Sequence, residues 1–554
     1  MLALTALAFS HRFIQDDAYI SFVYARNFIE GHGLVFNIGE RVEGFTNPLW
    51  TFLIALGMLA GFEPAAFAMV LGLLFFSLSL LTLERIVAAM GARPLACWAA
   101  MIVAGTNYTF SAYATGGLET SLVSALVLLA LFHTQRIAAS ATPELLQLLA
   151  FSLYSGLALL TRLDTAVFLT PMMARVGWSI ITQPDPALRL RAAAAAYGIS
   201  AALLGGWMAW KTGYYGELLP NTWYAKRGAE LGSTLIQGAT YLYTFAHSYL
   251  LIALFVPLAR GREILQDRHA RWLLLIITLW LAYVVYVGGG FMEFRFLVPV
   301  IPLGAALLCW VLFECIDVRW VQGLVVISLI AGSIHHRESF EFEAGIESVA
   351  ALEQHVHPAA QDWIGVGQVL GDLTAGAAQP PLIAVTAAGA IPYFSRLPAI
   401  DMLGLNDAFI ARHGLRYHTQ PGHERLAPYR YLDERGVNLI IAHPLVVSQD
   451  LQFDPRTSIG LRQFRIADAD PSMLPPDSAL LEIPMPGRRL LYALYLHRHP
   501  AIDRAIVRDK LRTWPAQGGW VPTMASSLRW RLAGLNPAAL KFVTRGKTGF
   551  LKRQ

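Results

Sequence analysis

Long apolar runs recur through residues 1–335 and then stop. Runs at 64–83, 94–113, 118–134, 144–161, 165–182, 191–210, 237–258, 272–288, 296–315 and 319–335 each approach the length of helix that crosses a hydrocarbon core. An apolar stub, MLALTALAFS (1–10), precedes them. It covers only about half a span and lacks the basic region and cleavage site of a signal peptide. It reads as the outer end of a first helix whose beginning is missing, which brings the expected total to about 11 transmembrane helices. The run PLWTFLIALGMLAG (48–61) is too short to span and opens on proline and tryptophan. That pattern predicts an interfacial helix.

From residue 336 the pattern changes to short apolar runs among Pro, His, Asp and Arg. PLIAVTAAGAIPYFS (381–395) and VNLIIAHP (437–444) predict buried strands. LLEIPMP (480–486) and RLLYALYLHR (489–498) predict a hairpin across Gly487-Arg488. The expected fold is therefore a polytopic α-helical membrane domain over 1–335, with an outer loop at 11–63, followed by a mixed α/β water-soluble domain over 336–554. The tail, with Lys541, Arg545, Lys547, Lys552 and Arg553 around Phe550 and Leu551, reads as a frayed solvated end or, alternatively, as a segment that touches a membrane surface.

Composition agrees with the pattern. The 554 residues are 55% hydrophobic and 15% charged, against about 25% charged in a soluble protein. A net charge of +5 is modest for this length and argues against nucleic acid as the partner. Cys97, Cys309 and Cys315 all lie in apolar segments and read as small buried residues, not as a disulfide or metal framework. The sequence contains no Walker-A loop, no dinucleotide-binding glycine motif after a strand, no HExxH and no CxxCH. His335, His336, His355 and His357 lack regular ligand spacing, so no metal is indicated.

The polar residues concentrate on one side of the predicted bundle. Arg85 and Arg93, Arg136, Arg189 and Arg191, the group Arg260, Arg262, Arg268 and Arg271, and Arg319 fall in short loops on the side expected to be cytoplasmic. The opposite, outer side collects the segments that could carry chemistry, and the C-terminal domain falls there too. The first is DDAYISFVYARNFIEGHGLVFNIGERVEGFTNPLW, opened by Asp16 and Asp17. Carboxylates at the mouth of a membrane bundle are costly to desolvate and read as functional. As a helix start, Asp16 could cap and Asp17 could complement the positive helix end. Neighbouring helical residues point about 100° apart, so one aspartate would face a substrate and the other would support it. The same loop supplies His32, Asn37, Glu40, Arg41, Glu43, Asn47 and Trp50, amides, carboxylates and an indole of the kind that bind sugars.

Further outer segments follow. TGGLET brings Glu119, and TRLDT brings Arg162 and Asp164, either as a mutual ion pair or with Arg162 facing a phosphate. KTGYYGELLPNTWYAKRG (211–228) holds Asn221, Tyr224, Lys226 and Arg227. GGGFMEFRF (288–296) holds Glu293 and Arg295, the latter a permanent forked cation for phosphate.

These stretches, together with GGGFMEFRFLVPVIP and AIDMLGLND, resemble the GT-C membrane glycosyltransferases that use polyprenyl-phosphate sugars. The pattern is similar to that of the mycobacterial terminal β-(1→2)-arabinofuranosyltransferases. The resemblance implies an inverting transfer of a sugar, with arabinofuranose a candidate, from a polyprenyl-phosphate donor to a hydroxyl of a cell-envelope glycan, lipid or protein. It implies a multi-pass protein of the bacterial inner membrane, with the active site and C-terminal domain extracytoplasmic. Asp16 matches the family's general base and Asp17 is the second acid of the motif. Glu43, Asn47, Glu119, Arg162, Asp164, Asn221, Tyr224, Lys226, Glu293 and Arg295 would bind substrate. No cofactor is required; a divalent metal serves some members of the wider superfamily. Relatives often carry Asp where this chain has Gly290.

Two rival readings belong to other classes. A flippase for lipid-linked sugars would place polar residues at mid-membrane and often shows inverted repeats; here the charges gather at one face and no repeat is visible. A non-catalytic envelope scaffold would tolerate the loss at Gly290.

Overall fold

The computed structural model describes residues 1–226, 230–251, 255–417, 422–451 and 454–515. Arg227 and the basic tail lie outside the described residues. The chain divides into two compact units. One comprises Met1–Glu353 with Arg416–Arg425, and the other Gln354–Leu415 with the rest of the chain after Leu426. The first unit thus runs past the expected boundary at 335 and also takes a short segment from far downstream. The extension consists of the end of one helix and a small hairpin that pairs back onto the GGGFMEFRF loop, which no hydropathy pattern signals.

The helices of the first unit are α1 (Leu2–Ser10), α2 (Asp16–Ile29), α3 (Pro48–Leu59), α4 (Pro64–Ala89), α5 (Pro94–Thr106), α6 (Tyr108–Ala112), α7 (Thr120–Ala139), α8 (Leu145–Thr161) and α9 (Ala166–Ile181). They continue as α10 (Pro186–Tyr215), α11 (Asn221–Ala225), α12 (Leu231–Ser248), α13 (Phe255–Ala259), α14 (Gly261–Gln266), α15 (Arg268–Val287), α16 (Ile301–Glu314) and α17 (Arg319–Ser339). Every predicted span finds a helix, although 237–258 is helical only to Ser248 before the undescribed residues. Among the described residues, α4, α7, α10 and α15 are long and apolar enough to cross a membrane. The shorter α3, α5, α8 and α16 are also apolar. This is a membrane protein.

Local chemistry sets the helix ends. Proline stands in the first turn of α3, α4, α5, α10 and α16, where its missing N–H costs nothing. Glu63 caps α4 by accepting from the N–H of Ala65 and Ala66, and Asp185 caps α10 by accepting from Ala187. Gly216 and Gly288, both at positive φ, end α10 and α15. The expected span 94–113 breaks at Asn107, whose side chain accepts from Phe110 N–H and starts α6. Small residues bring helices into close contact. A Cβ on Gly156 of α8 would stand 2.9 Å from Ser200 of α10, and one on Gly238 of α12 would stand 2.4 Å from the Val285 carbonyl of α15. Leu74, Trp98, Leu146, Trp178, Ile181 and Ile236 remain exposed, as lipid-facing side chains do.

At the end of this unit β1 (Phe342–Glu343) and β2 (Ile346–Glu347) form an antiparallel pair. The second unit is built on β3 (Ile383–Val385), β4 (Ala399–Asp401), β7 (Leu439–Ser448), β8 (Ala479–Met485), β9 (Arg489–Tyr495) and β10 (Arg512–Pro515). A further pair, β5 (Leu415–Arg416) and β6 (Arg425–Leu426), stands at the boundary. The six-stranded sheet has the order β10-β8-β9-β7-β3-β4. β4, β3 and β7 are parallel and the rest antiparallel, which makes a mixed sheet. The hairpin turns where Gly487 and Arg488 take positive φ. The run 381–395 is only partly strand: after β3 the chain turns at Gly389 into the helix Ala390–Ser395. The AIDMLGLND loop closes on itself. Asp401, almost fully buried, accepts from the N–H of Leu403 and Asn406 and from the Asn406 amide. Burial raises its carboxyl to about 6.

Candidate active site

Helix α2 begins one residue earlier than its aspartates require. Gln15 is the N-cap, and its side-chain carbonyl accepts from Asp17 N–H. Asp16 is therefore not the cap. Both aspartates sit in the positive first turn. Their side chains diverge in burial: Asp16 is 4% exposed, whereas Asp17 is only half-buried. The charges acting on Asp17 are those of Arg295 and Lys226, opposed by Glu119. Burial raises the Asp17 carboxyl above the ordinary carboxylate range despite those cations. Asp17 thus lies within reach of the charges of Arg295 and Lys226.

The return loop is pinned to the TGGLET turn. Trp50 donates its indole N–H to the Gly117 carbonyl at 3.0 Å. The Asn47 amide donates to Glu119 at 2.9 Å and to the Ser21 hydroxyl at 3.1 Å. Glu119 also accepts from Arg162 at 2.9 Å. Arg162 closes on Asp164 with its Nε and Nη2, the shortest contact being 2.6 Å. Arg162 and Asp164 are therefore the mutual ion pair, extended to Glu119, and Asn47 belongs to the same network. These side chains hold one another in one network.

Two other expected ligands are also bound within the protein. Glu43, 5% exposed, pairs with the fully buried Lys211. Its carbonyl accepts from Asn221 N–H at 2.9 Å, which ties the α2–α3 loop to α11. Glu293, 1% exposed, accepts from His336 Nε2 at 2.9 Å and from Val349 N–H at 2.6 Å. Both carboxylates are taken out of reach because burying them demands a partner. Asn221 is buried at the start of α11, and the half-buried Tyr224 donates to Glu217 at 3.1 Å.

Lys226 and Arg295 differ from these. Neither makes an ion pair among the described residues. Lys226 ends α11 and is reachable by solvent, yet protein surrounds it. That crowding, then Arg295 and Arg162, lowers its ammonium to about 8, against the pull of Asp17 and Glu424. Arg295 is placed by a strained turn. Phe294 stands at φ +43, a conformation costly for a bulky residue, and is held by packing against Tyr241, Phe245, His336 and Phe340. Arg295 and Arg162 lie over the same Phe296 ring, each 5.8 Å from its centroid. Phe296 is fixed by Trp280, whose indole N–H donates to its carbonyl at 2.8 Å. A Cβ on Gly290 would stand 3.1 Å from that ring, so a side chain there requires the phenylalanine to give way.

Sequence reasoning missed Glu347 and Glu424. Glu347 sits on β2, and its N–H donates to the Phe291 carbonyl at 2.7 Å while its own carbonyl accepts from Glu293 N–H at 2.9 Å. It is thereby tied to the loop that carries Arg295. Burial, then the nearby Asp17 charge, raises its carboxyl to about 7. Glu424 is buried in the downstream segment that joins this unit, and its charge acts on Lys226. Both are more than a hundred residues from the residues they meet or lie beyond the last apolar run, so spacing gave no signal. Among the described residues no group of three or more His, Cys, Asp or Glu is arranged to hold a metal ion.

A bundle of this form with a sheet-containing C-terminal unit is the GT-C fold. It is shared with ArnT from Cupriavidus metallidurans, solved bound to undecaprenyl phosphate, at a TM-score of 0.50 and 13% identity over 89% of this chain and 96% of that one. It is shared also with the archaeal oligosaccharyltransferase AglB from Archaeoglobus fulgidus, solved with an inhibitory peptide and a dolichol-phosphate, at 0.51 and 10% over 89% and 73%.

Within that class the resemblance seen in the motifs is borne out. The chain is 32% identical over 286 residues to the terminal beta-(1->2)-arabinofuranosyltransferase of Mycobacterium tuberculosis, covering 46% of this chain and 42% of the relative. It is 29% identical over 383 residues to the enzyme of the same name from Corynebacterium glutamicum, covering 60% and 53%. The chain thus matches about half the length of these relatives. Residues 350–480 match a family described as a domain of unknown function (DUF8728).

Proposed function

We propose that this protein is an inverting membrane glycosyltransferase that moves one sugar, with arabinofuranose the leading candidate, from a polyprenyl-phosphate donor to a hydroxyl of a cell-envelope glycan, lipid or protein. The observation that carries the proposal is the half-buried Asp17 set beside Lys226 and Arg295, cations without ion-pair partners among the described residues. Asp17 takes the proton from the attacking hydroxyl. The acceptor oxygen bonds to C1 as the bond from C1 to the phosphate oxygen breaks, and polyprenyl phosphate leaves with the extra negative charge. Lys226 and Arg295 neutralise that charge; a phosphate leaving group needs charge stabilisation more than protonation. Asp16 supports the helix turn that carries Asp17. Arg162, Asp164, Glu119 and Asn47 fix the wall of the site, and Glu43 and Glu293 act as structural anchors. The bundle crosses the membrane about 11 times, and the site opens on the outer face, where lipid-linked donors need no nucleotide.

Purified protein is incubated with a panel of polyprenyl-phosphate sugars, and acceptors are read by mass spectrometry. One donor is expected to give a product heavier by a single sugar. Asp17→Asn is expected to lower that rate by about 10²–10⁴-fold, the usual worth of a positioned base, with unchanged elution on gel filtration. Near-normal transfer by Asp17→Asn, with loss in Asp16→Asn, would return the base to Asp16. No transfer from any donor sinks the proposal.

A further inference from the structure

The candidate site takes one acid from far downstream. The segment Arg416–Arg425 belongs with the helical unit, although the chain before and after it belongs to the other unit. Its described residues reach the loops that carry the cations. Gly422 turns at φ +88, and a Cβ there would stand 4.0 Å from Cε of Lys226. The His423 ring packs edge-on against Phe291, with centroids 4.9 Å apart. Phe291 opens the loop of Arg295, and its carbonyl accepts from Glu347 N–H at 2.7 Å. Glu424 follows, 5% exposed, and its carbonyl accepts from Tyr417 N–H at 3.0 Å. Backbone pairing and ring packing therefore hold the segment without drawing on the Glu424 carboxylate.

The charge of Glu424 acts on Lys226, which ends α11 and stands 198 residues earlier in the chain. Lys226 has a use for it. The like charges of Arg295 and Arg162 press the ammonium to give up its proton, and the acids that oppose them are Asp17 and Glu424. Arg162 has partners of its own in Glu119 and Asp164, at 2.9 and 2.6 Å. Asp17 takes up a proton in the proposed transfer, so its negative charge disappears in every turnover. Glu424 takes no proton in that scheme, and its pull on Lys226 stays constant. An amine must carry its proton before it can hold a phosphate, so this constant charge counts most while the site is empty.

We propose that Glu424 is a positioning residue for the transfer, its carboxylate keeping the Lys226 ammonium charged and in place until the donor phosphate arrives. It acts through Lys226 and touches neither the sugar nor the phosphate. This role rests on the function proposed above, but the coupling between the two charges can be measured without any substrate. The chain beyond the bundle thereby contributes to the cation clamp, through a segment that no apolar run announces.

The test uses the full purified chain in detergent, with its lysines reductively methylated with ¹³C-formaldehyde and followed by NMR against pH. The chain has six lysines, and the signal missing from Lys226→Arg identifies Lys226. Its midpoint is expected near pH 8 in the parent chain and about one pH unit lower in Glu424→Gln, the low end for loss of a nearby opposite charge. The alkaline limb of kcat/KM for the donor is expected to move down by the same amount. At pH 7.5 that makes transfer about threefold slower, because a lysine is about three-quarters charged at a midpoint of about 8 and about one-quarter at about 7. In a Lys226→Arg background, Glu424→Gln is expected to leave the pH profile unchanged, since arginine keeps its proton. A Lys226 midpoint that stays in place in Glu424→Gln overturns the proposal, whatever happens to transfer. A profile that moves equally in the Lys226→Arg background also overturns it, because Glu424 then acts through another group. A shifted midpoint with no transfer from any donor supports the coupling and removes the glycosyltransferase reading instead. Should Glu424→Gln fail to fold, Glu424→Asp decides. Its carboxylate, withdrawn by one methylene, is expected to lower the midpoint by a smaller amount, and a midpoint equal to the parent's rejects the proposal.

Discussion

Asp17 and Lys226 owe their predicted behaviour to the same desolvation acting with opposite sign. For a base, burial helps by raising the carboxyl toward the pH at which it works. Asp17 must be ionised to accept a proton, so transfer is expected to fall as pH drops through its raised value, above the usual carboxylate range. Lys226 must be protonated to hold phosphate, so transfer is expected to fall again as pH rises through about 8. A pH profile of kcat/KM should therefore be bell-shaped. Lys226→Arg keeps the cation at all accessible pH and is expected to remove the alkaline limb, leaving the acid limb in place. An unchanged alkaline limb in that variant would take Lys226 out of the clamp. Asp16, with the same chemistry one residue earlier, is buried by the 100° step of the helix.

Helices and loops are locked together by buried polar side chains that pair with one another across the fold. Lys211, near the end of the long α10, reaches Glu43 in the α2–α3 loop, and both are buried. Removing one partner strands the other charge in a low-dielectric site, at a cost of about 3–5 kcal/mol. Glu43→Ala is expected to lower the melting temperature of the purified protein sharply. Lys211→Met placed on top should recover part of the loss, because the stranded cation is gone. A melting temperature unaffected by Glu43→Ala would show that the pair contributes nothing. Glu293 and His336 do the same for the loop carrying Arg295, where His336 also stacks on Tyr249 at 4.1 Å. The strained Phe294 turn persists because this surrounding packing over-determines it.

At the scale of the bundle, the two ends of α7 and α15 carry different chemistry. One end gathers Asp17, Glu119, Arg162, Lys226 and Arg295; the other gathers Arg175, Arg268 and Arg271. If the candidate site faces outward, the ends are reachable from opposite sides of the membrane. In a cysteine-free background, Ile38→Cys, on an exposed loop position 65% accessible, is expected to react with an impermeant maleimide in intact cells. Arg262→Cys, exposed on α14, is expected to react only after the membrane is opened. The reverse pattern would invert the topology.

The sequence by itself determined the helices and their ends. Apolar run length, proline at first turns and glycine at last ones act within a few residues, so α4, α7, α10 and α15 were legible, as was the hairpin at Gly487-Arg488. It also supplied the set of polar residues from which the site is drawn, because charged groups are rare enough in such a chain to stand out. Only the tertiary structure decided which of them are committed. Arg162 finds Asp164 two residues away but Glu119 forty-three away, and Glu293 finds His336 forty-three away. Glu43 finds Lys211 at a separation of 168. A charge removed from water must be matched by whichever partner packing brings near, and that choice depends on the whole bundle. What remains after the matching is Asp17 between two cations, and that remainder cannot be read from any one segment of the chain.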